Sequence, residues 1–123
     1  MNIPVRGIRG AITVERDESE LILAATERLL RAMVTENAID TVDIASALFT
    51  VTPDLVSEFP AAAARRMGWT LVPLLNFTEI AVPTGLERCI RALLHVNTAR
   101  RQDEIVHVYL DGARALRPDL ERT

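Results

Sequence analysis

Two arginines interrupt apolar segments of this 123-residue sequence that otherwise read as β-strands. Arg9 lies in VRGIRGAITV, and Arg91 lies in CIRALLHVNT. A guanidinium among apolar neighbours needs an anionic partner, because removing an unpaired charge from water costs several kcal/mol. The partner can be a carboxylate of the same protein or an anionic ligand. For either arginine taken alone, an internal arginine–glutamate pair is the simpler interpretation.

Further polar side chains stand near these segments. Glu79 follows a proline-bearing apolar segment, Tyr109 ends the last apolar segment, and Arg117 lies close to the C-terminus. Together with the two arginines they favour a pocket for a small dicarboxylate, since a guanidinium binds a carboxylate through two parallel hydrogen bonds. All 14 basic residues are arginine, so a cationic site for oxyanions must use this side chain.

Several other kinds of chemistry are excluded by the residues present. Cys89 is the single cysteine, and the two histidines, His95 and His107, are well separated, so we expect no metal-ligand cluster and no internal disulfide. RGIRGA lacks the length and the lysine of a P-loop, and no serine-nucleophile motif is present. We therefore expect an enzyme of this sequence to use no cofactor and to form no covalent intermediate.

Length and composition predict one globular domain over residues 1–123. Apolar residues make up 49% of the chain, and the formal net charge of −3 provides no basic field for nucleic acid or an anionic membrane. The beginning of the chain lacks the features of a secretory signal, and no apolar run reaches membrane-spanning length. With a single cysteine, these features predict a cytoplasmic protein with no nucleic-acid or membrane partner.

One long helix is readable from hydrophobic periodicity. RDESELILAATERLLRAMVTENAI repeats apolar residues at helical spacing, with acidic residues at its start. Asp17 followed by Glu20 resembles a capping box, and Asn37 marks the end of the helix. FPAAAARRMG predicts a second, short helix, with proline at its first position and glycine at its end.

The remaining apolar segments predict strands. Three strands are predicted in addition to the two arginine-bearing ones: DIASALFTVT, WTLVPLL and QDEIVHVYL. Pro73 marks WTLVPLL as an edge or irregular strand. In the first strand Arg6 should point to the face opposite Arg9 and form a surface or interface pair, because side chains alternate. Strands outnumber helices, so we predict an α+β domain: a mixed sheet with one long helix packed on it.

Several segments carry a resemblance to a known family. The segments VRGIRGAITVERD, TPDL, FPAAAARRMGW, CIRALL and HVYL with ALRPDL occur in this order, at matching intervals, in the monofunctional chorismate mutases. The class resembled is the trimeric, pseudo-α/β-barrel one, distinct from the all-helical chorismate mutases, and the resemblance runs from about Val5 to Leu120. It implies a homotrimer with active sites at subunit interfaces, and a mobile C-terminal tail at about 115–123.

The resemblance also implies a reaction and residue roles. Family members convert chorismate to prephenate by a cofactor-free Claisen rearrangement, on the route to phenylalanine and tyrosine. By resemblance, Arg91 donates to the ether oxygen and to a carboxylate. Arg9 and Tyr109 hold the carboxylate of the enolpyruvyl arm, and Glu79 binds the ring hydroxyl. The other substrate-binding positions are Phe59, Ala61 and Arg65 from a neighbouring subunit, Leu74 and Leu75, and Leu116 with Arg117 on the closing tail.

Two positions depart from the family's pattern. Asn76 stands where some relatives carry cysteine or serine near the ring hydroxyl and Glu79. An amide both donates and accepts, so we expect activity to survive with altered affinity. Ala62 stands where some relatives carry lysine near the entrance, and the missing charge should slow capture of a dianion more than the chemistry.

Two other functions remain open at this point. The chain could be a non-catalytic binding domain for an aromatic-pathway metabolite, or a structural trimerising domain whose arginines form internal ion pairs. The presence of Arg9, Glu79, Arg91 and Tyr109 together argues against the first, since a decayed site should lose Arg91 first.

Overall fold

A mixed β-sheet organises the computed structural model, which describes residues 3–116. Within that range five strands form one sheet: β1 (Val5–Thr13), β2 (Ile44–Val51), β3 (Leu74–Thr78), β4 (Cys89–Asn97) and β5 (Val108–Leu110). The order across the sheet is β3-β2-β4-β1-β5. β4 is antiparallel to β1 and β2, whereas β5 and β3 run parallel to β1 and β2, respectively. The predicted α+β fold with a mixed sheet is confirmed.

Helix α1 (Ser19–Glu36) covers one face of this sheet. Its buried positions recur at helical spacing: Ile22, Leu23, Ala25, Thr26, Leu29, Leu30 and Met33. They pack against alternate strand residues that are also buried, including Ile8, Ile12, Phe49, Ile90 and Leu94. The core therefore lies on the helix side of the sheet, and the opposite face carries the other half of each strand's side chains. In the described range no helix combines the length and the apolar character that a membrane span requires.

The short helix α2 (Ala61–Arg66) packs against α1. Ala61, Ala63 and Ala64 are buried, and Ala61 and Ala64 belong to the main hydrophobic core. Met67 is the C-cap of the helix, and Gly68 follows it with a φ of 87°, in the left-handed region that favours glycine. The short helix predicted from the alanine-rich segment is confirmed.

The predicted capping box at the start of α1 is wrong. The residue that caps the helix is Glu18, and its side chain makes no capping hydrogen bond. Asp17 instead accepts hydrogen bonds at Oδ1 from the backbone N–H groups of Val56 and Ser57, both at 3.0 Å. The carboxylate therefore ties the loop after β2 to the beginning of the helix.

Two strands differ from the segments predicted for them. β3 begins only after Pro73, and Trp69 and Val72, which the sequence assigns to the strand, precede it as core residues. The Pro73 carbonyl accepts a hydrogen bond from Ala47 N at 2.9 Å, after which β3 pairs with β2 at the sheet edge. β5 is limited to three residues, because residues 102–104 form a 3-10 turn and the N–H and carbonyl of Val106 both bond to the Asn37 side-chain amide instead of a strand.

The sheet–helix contact predicts that Gly10 tolerates no side chain. A Cβ at this position would lie 2.5 Å from Met33 Sδ and 3.0 Å from Leu29 Cδ1. We expect Gly10→Ala to lower the free energy of unfolding by about 1–3 kcal/mol, as overpacking does. Gly7→Ala is the matched control, since its Cβ would meet only Leu93 Cδ1 at 3.5 Å. Urea unfolding measures both, and equal effects of the two substitutions would contradict this packing.

Cys89 is buried on the sheet face opposite α1, in a small cluster with Ala11 and Ala113. Burial raises the pKa of its thiol to about 11, although the nearby charge of Arg91 works in the opposite direction. The unfolded thiol, with its ordinary pKa, loses its proton first, so this group should reduce stability as pH rises from about 9 toward 11. Urea titrations across that range should show a steeper loss for the wild type than for Cys89→Ala. Parallel curves would contradict the burial.

Candidate active site

A cavity of about 360 Å³ lies over the sheet face opposite α1. Residues of four neighbouring strands meet at it, because Arg9 is paired with Leu93, Thr50 with Arg91, and Ala11 with Tyr109. The lining residues are Arg9, Gly10, Ala11, Leu48, Thr50, Arg91, Ala92, Leu93, Tyr109 and Leu116. Four positions singled out in the sequence, Arg9, Arg91, Tyr109 and Leu116, therefore meet at one cavity.

Glu79 joins this cavity through an ion pair. Arg91 Nε donates to Glu79 Oε1 at 2.6 Å, and the Thr50 hydroxyl donates to the same oxygen at 2.7 Å. The backbone N–H of Glu79 donates to the Val51 carbonyl at 2.8 Å, which fixes where the side chain leaves the chain. The Arg91 side chain is 44% exposed and that of Glu79 is 16% exposed, so the pair lies outside the core, and Arg91 is the partner that lines the cavity.

The pair leaves hydrogen-bonding capacity on both partners. In the part of the chain that the structure describes, Arg91 uses only Nε, and its two Nη groups have no hydrogen-bond partner. Glu79 likewise uses only Oε1 there. A ligand in the cavity can therefore accept hydrogen bonds from the Nη groups of Arg91 and donate one to the second oxygen of Glu79 without breaking the pair.

Arg9 is the second cation at the cavity. Its side chain is exposed, and no carboxylate among residues 3–116 pairs with its guanidinium. Its backbone N–H donates to Nδ1 of His107 at 3.0 Å, so this imidazole supports the strand that carries Arg9. Tyr109 lies on β5, paired with Ala11 of β1, which brings the phenol to the same cavity.

The segment after β5 is fixed at its beginning. Asp111 has a positive φ of 53°, and its carboxylate accepts hydrogen bonds from both terminal nitrogens of Arg28, at 3.0 and 3.3 Å. Gly112 N donates to Thr13 Oγ1 at 2.9 Å. The 3-10 turn Asp111–Leu116 then carries Leu116 to the cavity, and Arg117 lies outside the described residues.

Arg6 follows the expected alternation but has a different partner. It is paired across the sheet with Val96, a core residue, and therefore points away from Arg9. Its Nε donates to the backbone carbonyl of Arg100 at 2.9 Å. Within the described residues its hydrogen-bond partner is therefore a main-chain oxygen and not the side chain of a surface pair, whereas an interface pair stays a prediction.

The other predicted site residues lie apart from this cavity. Phe59 and Asn76 line a second cavity of about 400 Å³ at the β3 edge. Asn76 is paired with Phe49 and so faces the helix side, where its Oδ1 accepts a hydrogen bond from Ala61 N at 3.1 Å. Within the chain its amide therefore holds the beginning of α2 and does not contact Glu79. The remaining positions differ in exposure: Ala61 is buried, Leu74 is partly buried, and Arg65 and Leu75 are exposed.

The TPDL segment links the end of β2 to the beginning of β4. Thr52 Oγ1 donates to Asp54, accepts from Cys89 N at 2.9 Å, and so joins the end of β2 to the beginning of β4. Asp54 also accepts from the backbone N–H of Arg88 at 2.9 Å. Although burial opposes the charge, these hydrogen bonds hold the pKa of the Asp54 carboxyl below its usual value. The segment therefore places Arg91 without reaching the cavity itself.

Leu48 and Thr50 are among the lining residues that the sequence does not single out. Both belong to an apolar strand segment, and threonine is frequent in strands, so neither stands out by residue type. The only available signal is their spacing, which places them on one face of β2. Within residues 3–116 no three His, Cys, Asp or Glu side chains come together as metal ligands do.

Comparison with known proteins gives one consistent answer. The family model described as chorismate mutase type I matches residues 5–120. Chorismate mutase AroH of Thermus thermophilus is 53% identical over 118 residues, which cover 95% of this chain and 97% of that protein. Chorismate mutase AroH of Bacillus subtilis is 47% identical over 120 residues, covering 97% and 94%. A solved chorismate mutase structure from Clostridium thermocellum superposes with a TM-score of 0.87 at 49% identity, covering 89% of this chain and 97% of that one. The chain belongs to the chorismate mutase type I family.

Proposed function

We propose that this chain converts chorismate to prephenate in the cavity lined by Arg9, Arg91 and Tyr109. Membership of the chorismate mutase type I family makes the protein an isomerase of the chorismate mutase class. The observation that supports this location is the convergence of both strand-borne arginines on one sheet face, with Glu79 paired to one of them. The cavity offers two cationic donors and one acceptor to a dicarboxylate that also carries a hydroxyl.

The rearrangement takes place within one molecule. The ether C–O bond breaks while a C–C bond forms between the methylene of the enolpyruvyl arm and the ring, and no proton is transferred. Negative charge collects on the ether oxygen as its bond lengthens. The Nη groups of Arg91 donate to that oxygen more strongly in the transition state than in the substrate, and this difference accelerates the reaction.

The second contribution is conformational. Arg9 and Tyr109 hold the carboxylate of the enolpyruvyl arm, while Glu79 accepts a hydrogen bond from the ring hydroxyl. Fixing both ends of the substrate keeps the arm folded over the ring, with the reacting carbons close together. Leu48 and Leu93 line the cavity with apolar surface, which excludes water and strengthens the field of Arg91.

The charges at the cavity support a site completed by a second chain. Arg9 and Arg91 provide two positive charges and Glu79 one negative charge, which leaves one net positive charge for a substrate with two carboxylates. We propose that Arg65 of a neighbouring subunit adds a further cation, besides Arg117 of the closing tail. Arg65 is exposed, and no carboxylate among the described residues pairs with it. Phe59 lies on the same part of the chain and is 65% exposed.

Exposed apolar residues around β3 support the same homotrimer. Leu71 is 95% exposed and Ile80 is 88% exposed, and the strand itself exposes Leu75 and Phe77. An edge strand with apolar side chains is an unfavourable surface for a protein in water unless another chain covers it. A cyclic trimer covers this edge in every subunit and brings the Phe59 side of one chain to the Arg91 side of another.

We further propose that residues 1–123 form a single chorismate mutase domain, whose tail at about 115–123 closes over bound substrate. The family match over residues 5–120 supports one domain. Leu116 already lines the cavity, so a closing tail would carry Arg117 toward the substrate's ring carboxylate. The cytoplasmic location stays a prediction from the sequence.

Replacement of Arg91 tests the catalytic proposal. Arg91→Lys should lower kcat/KM by about a thousandfold, or ~4 kcal/mol, because the ammonium pairs with Glu79 and leaves no fork of donors for the ether oxygen. Loss of chorismate absorbance measures the rate. Arg31→Lys is the matched control, since Arg31 forms an exposed pair with Glu27 on α1. Activity of Arg91→Lys within a few-fold of the wild type would refute the role, and chorismate binding without consumption by the wild type would favour the binding-domain alternative.

Mixed trimers test the shared site. Arg91→Ala and Arg65→Ala should each be nearly inactive alone, because each removes one half of every site. When equal amounts are refolded together, random assembly restores both halves in about one site in four, so about a quarter of wild-type activity should return. The two variants refolded separately and then combined provide the control. Activity no higher than the sum of the separate variants, in trimers verified by sedimentation, would refute a site shared between chains.

A further inference from the structure

Thr50 occupies a position from which it can control the orientation of Arg91. It lies on β2 directly opposite Arg91 of β4, and both side chains line the 360 Å³ cavity. Its hydroxyl donates at 2.7 Å to the Glu79 oxygen that also accepts from Arg91 Nε. Thr50 and Glu79 are 29 residues apart in the sequence, so the sheet and not the local chain creates this contact.

Two donors on one carboxylate oxygen fix the carboxylate more tightly than either alone. With Oε1 held by Thr50 and by Arg91 Nε, Glu79 directs Oε2 elsewhere, and the guanidinium plane is fixed through its Nε. If the hydroxyl is removed, the carboxylate can rotate and accept from an Nη group of Arg91 as well, in the bidentate geometry that this pair prefers. After that rotation an Nη group of Arg91 would bind Glu79 instead of the ligand, and the second oxygen of Glu79 would no longer be free to accept from the ligand.

We propose that Thr50 is a positioning residue for the rearrangement, which acts through Glu79 to keep the Nη groups of Arg91 available to the reacting ether oxygen. The proposal rests on the proposed function of the cavity. It assigns no contact with substrate to the hydroxyl, since that group already donates to Glu79. Any side chain without a hydroxyl at position 50 should therefore produce the same defect.

The test compares Thr50→Val, which keeps the branched shape, with Thr50→Ser, which keeps the hydroxyl. Thr50→Val should lower kcat/KM by about tenfold, the lower end of what loss of a hydrogen bond to a charged group produces, with most of the change in kcat. Thr50→Ser should stay within about threefold of the wild type. Thr50→Ala also lacks the hydroxyl and replaces the valine variant if that variant does not fold.

Ser46 provides a matched control. It lies on the same strand and the same sheet face as Thr50, and its hydroxyl is 2.8 Å from Nδ1 of His95, away from the cavity lining. Ser46→Ala removes a cross-strand hydroxyl contact of the same kind, so its effect on the free energy of unfolding reports the structural cost alone. We expect its kcat/KM to remain within about twofold of the wild type.

A double-mutant cycle separates positioning from a general structural effect. In a Glu79→Ala background Thr50→Val should cause no further loss, because the group through which Thr50 acts is gone. A further tenfold loss in that background, or a Thr50→Val rate within twofold of the wild type, would overturn the proposal while leaving the proposed function intact. A wild-type protein that consumes no chorismate would overturn both.

Discussion

The arrangement at the cavity depends on a single carboxylate oxygen. Glu79 Oε1 accepts hydrogen bonds from Arg91 Nε and from the Thr50 hydroxyl, and these two contacts join three neighbouring parts of the sheet. A guanidinium anchored through Nε presents its remaining donors in directions that the protein sets before any ligand arrives. Such preorganised charge stabilises a transition state without reorganisation at the moment of reaction. The sequence presents an internal ion pair and a ligand site as alternatives for this arginine. Because only Nε is used in the ion pair, Arg91 can form the pair and bind a ligand at the same time.

The parts of the fold that local sequence predicts are those whose partners are nearby in the chain. Helix α1 follows from the period of its apolar residues, and β1 and β4 follow from short apolar runs. Asp17 shows where that reasoning fails. The sequence predicts a capping role for it from Glu20, three residues away, but the backbone N–H groups of Val56 and Ser57, 39 and 40 residues away, bind its carboxylate instead. A local pattern contains no information about such a competitor.

The same distinction applies to the site. Arg9 and Arg91 are conspicuous because a charge in an apolar strand violates the expected pattern. Thr50 fits the pattern expected of a strand. Its contact with Glu79 is therefore recognised only from the structure, which places β2, β4 and the end of β3 side by side. The separation of Asn76 from Glu79 is equally a property of the sheet, since one side chain holds α2 on the helix side and the other reaches the opposite face. Resemblance names both residues but does not say on which face each one lies.

A sheet with its core on one side explains where the cations can be placed. On the helix side Arg91 would have to be desolvated during folding, at a cost that its pair with Glu79 would not fully offset. On the open face the guanidinium stays partly hydrated in the single chain, with 44% of its side chain exposed. In the proposed shared site, its desolvation is deferred until a neighbouring chain and a dianionic substrate cover it, and the carboxylates of that substrate supply the compensating charge. On that proposal, the electrostatic field is strongest when the reacting molecule is in place, because the same step that brings the anion also removes the water that screens it.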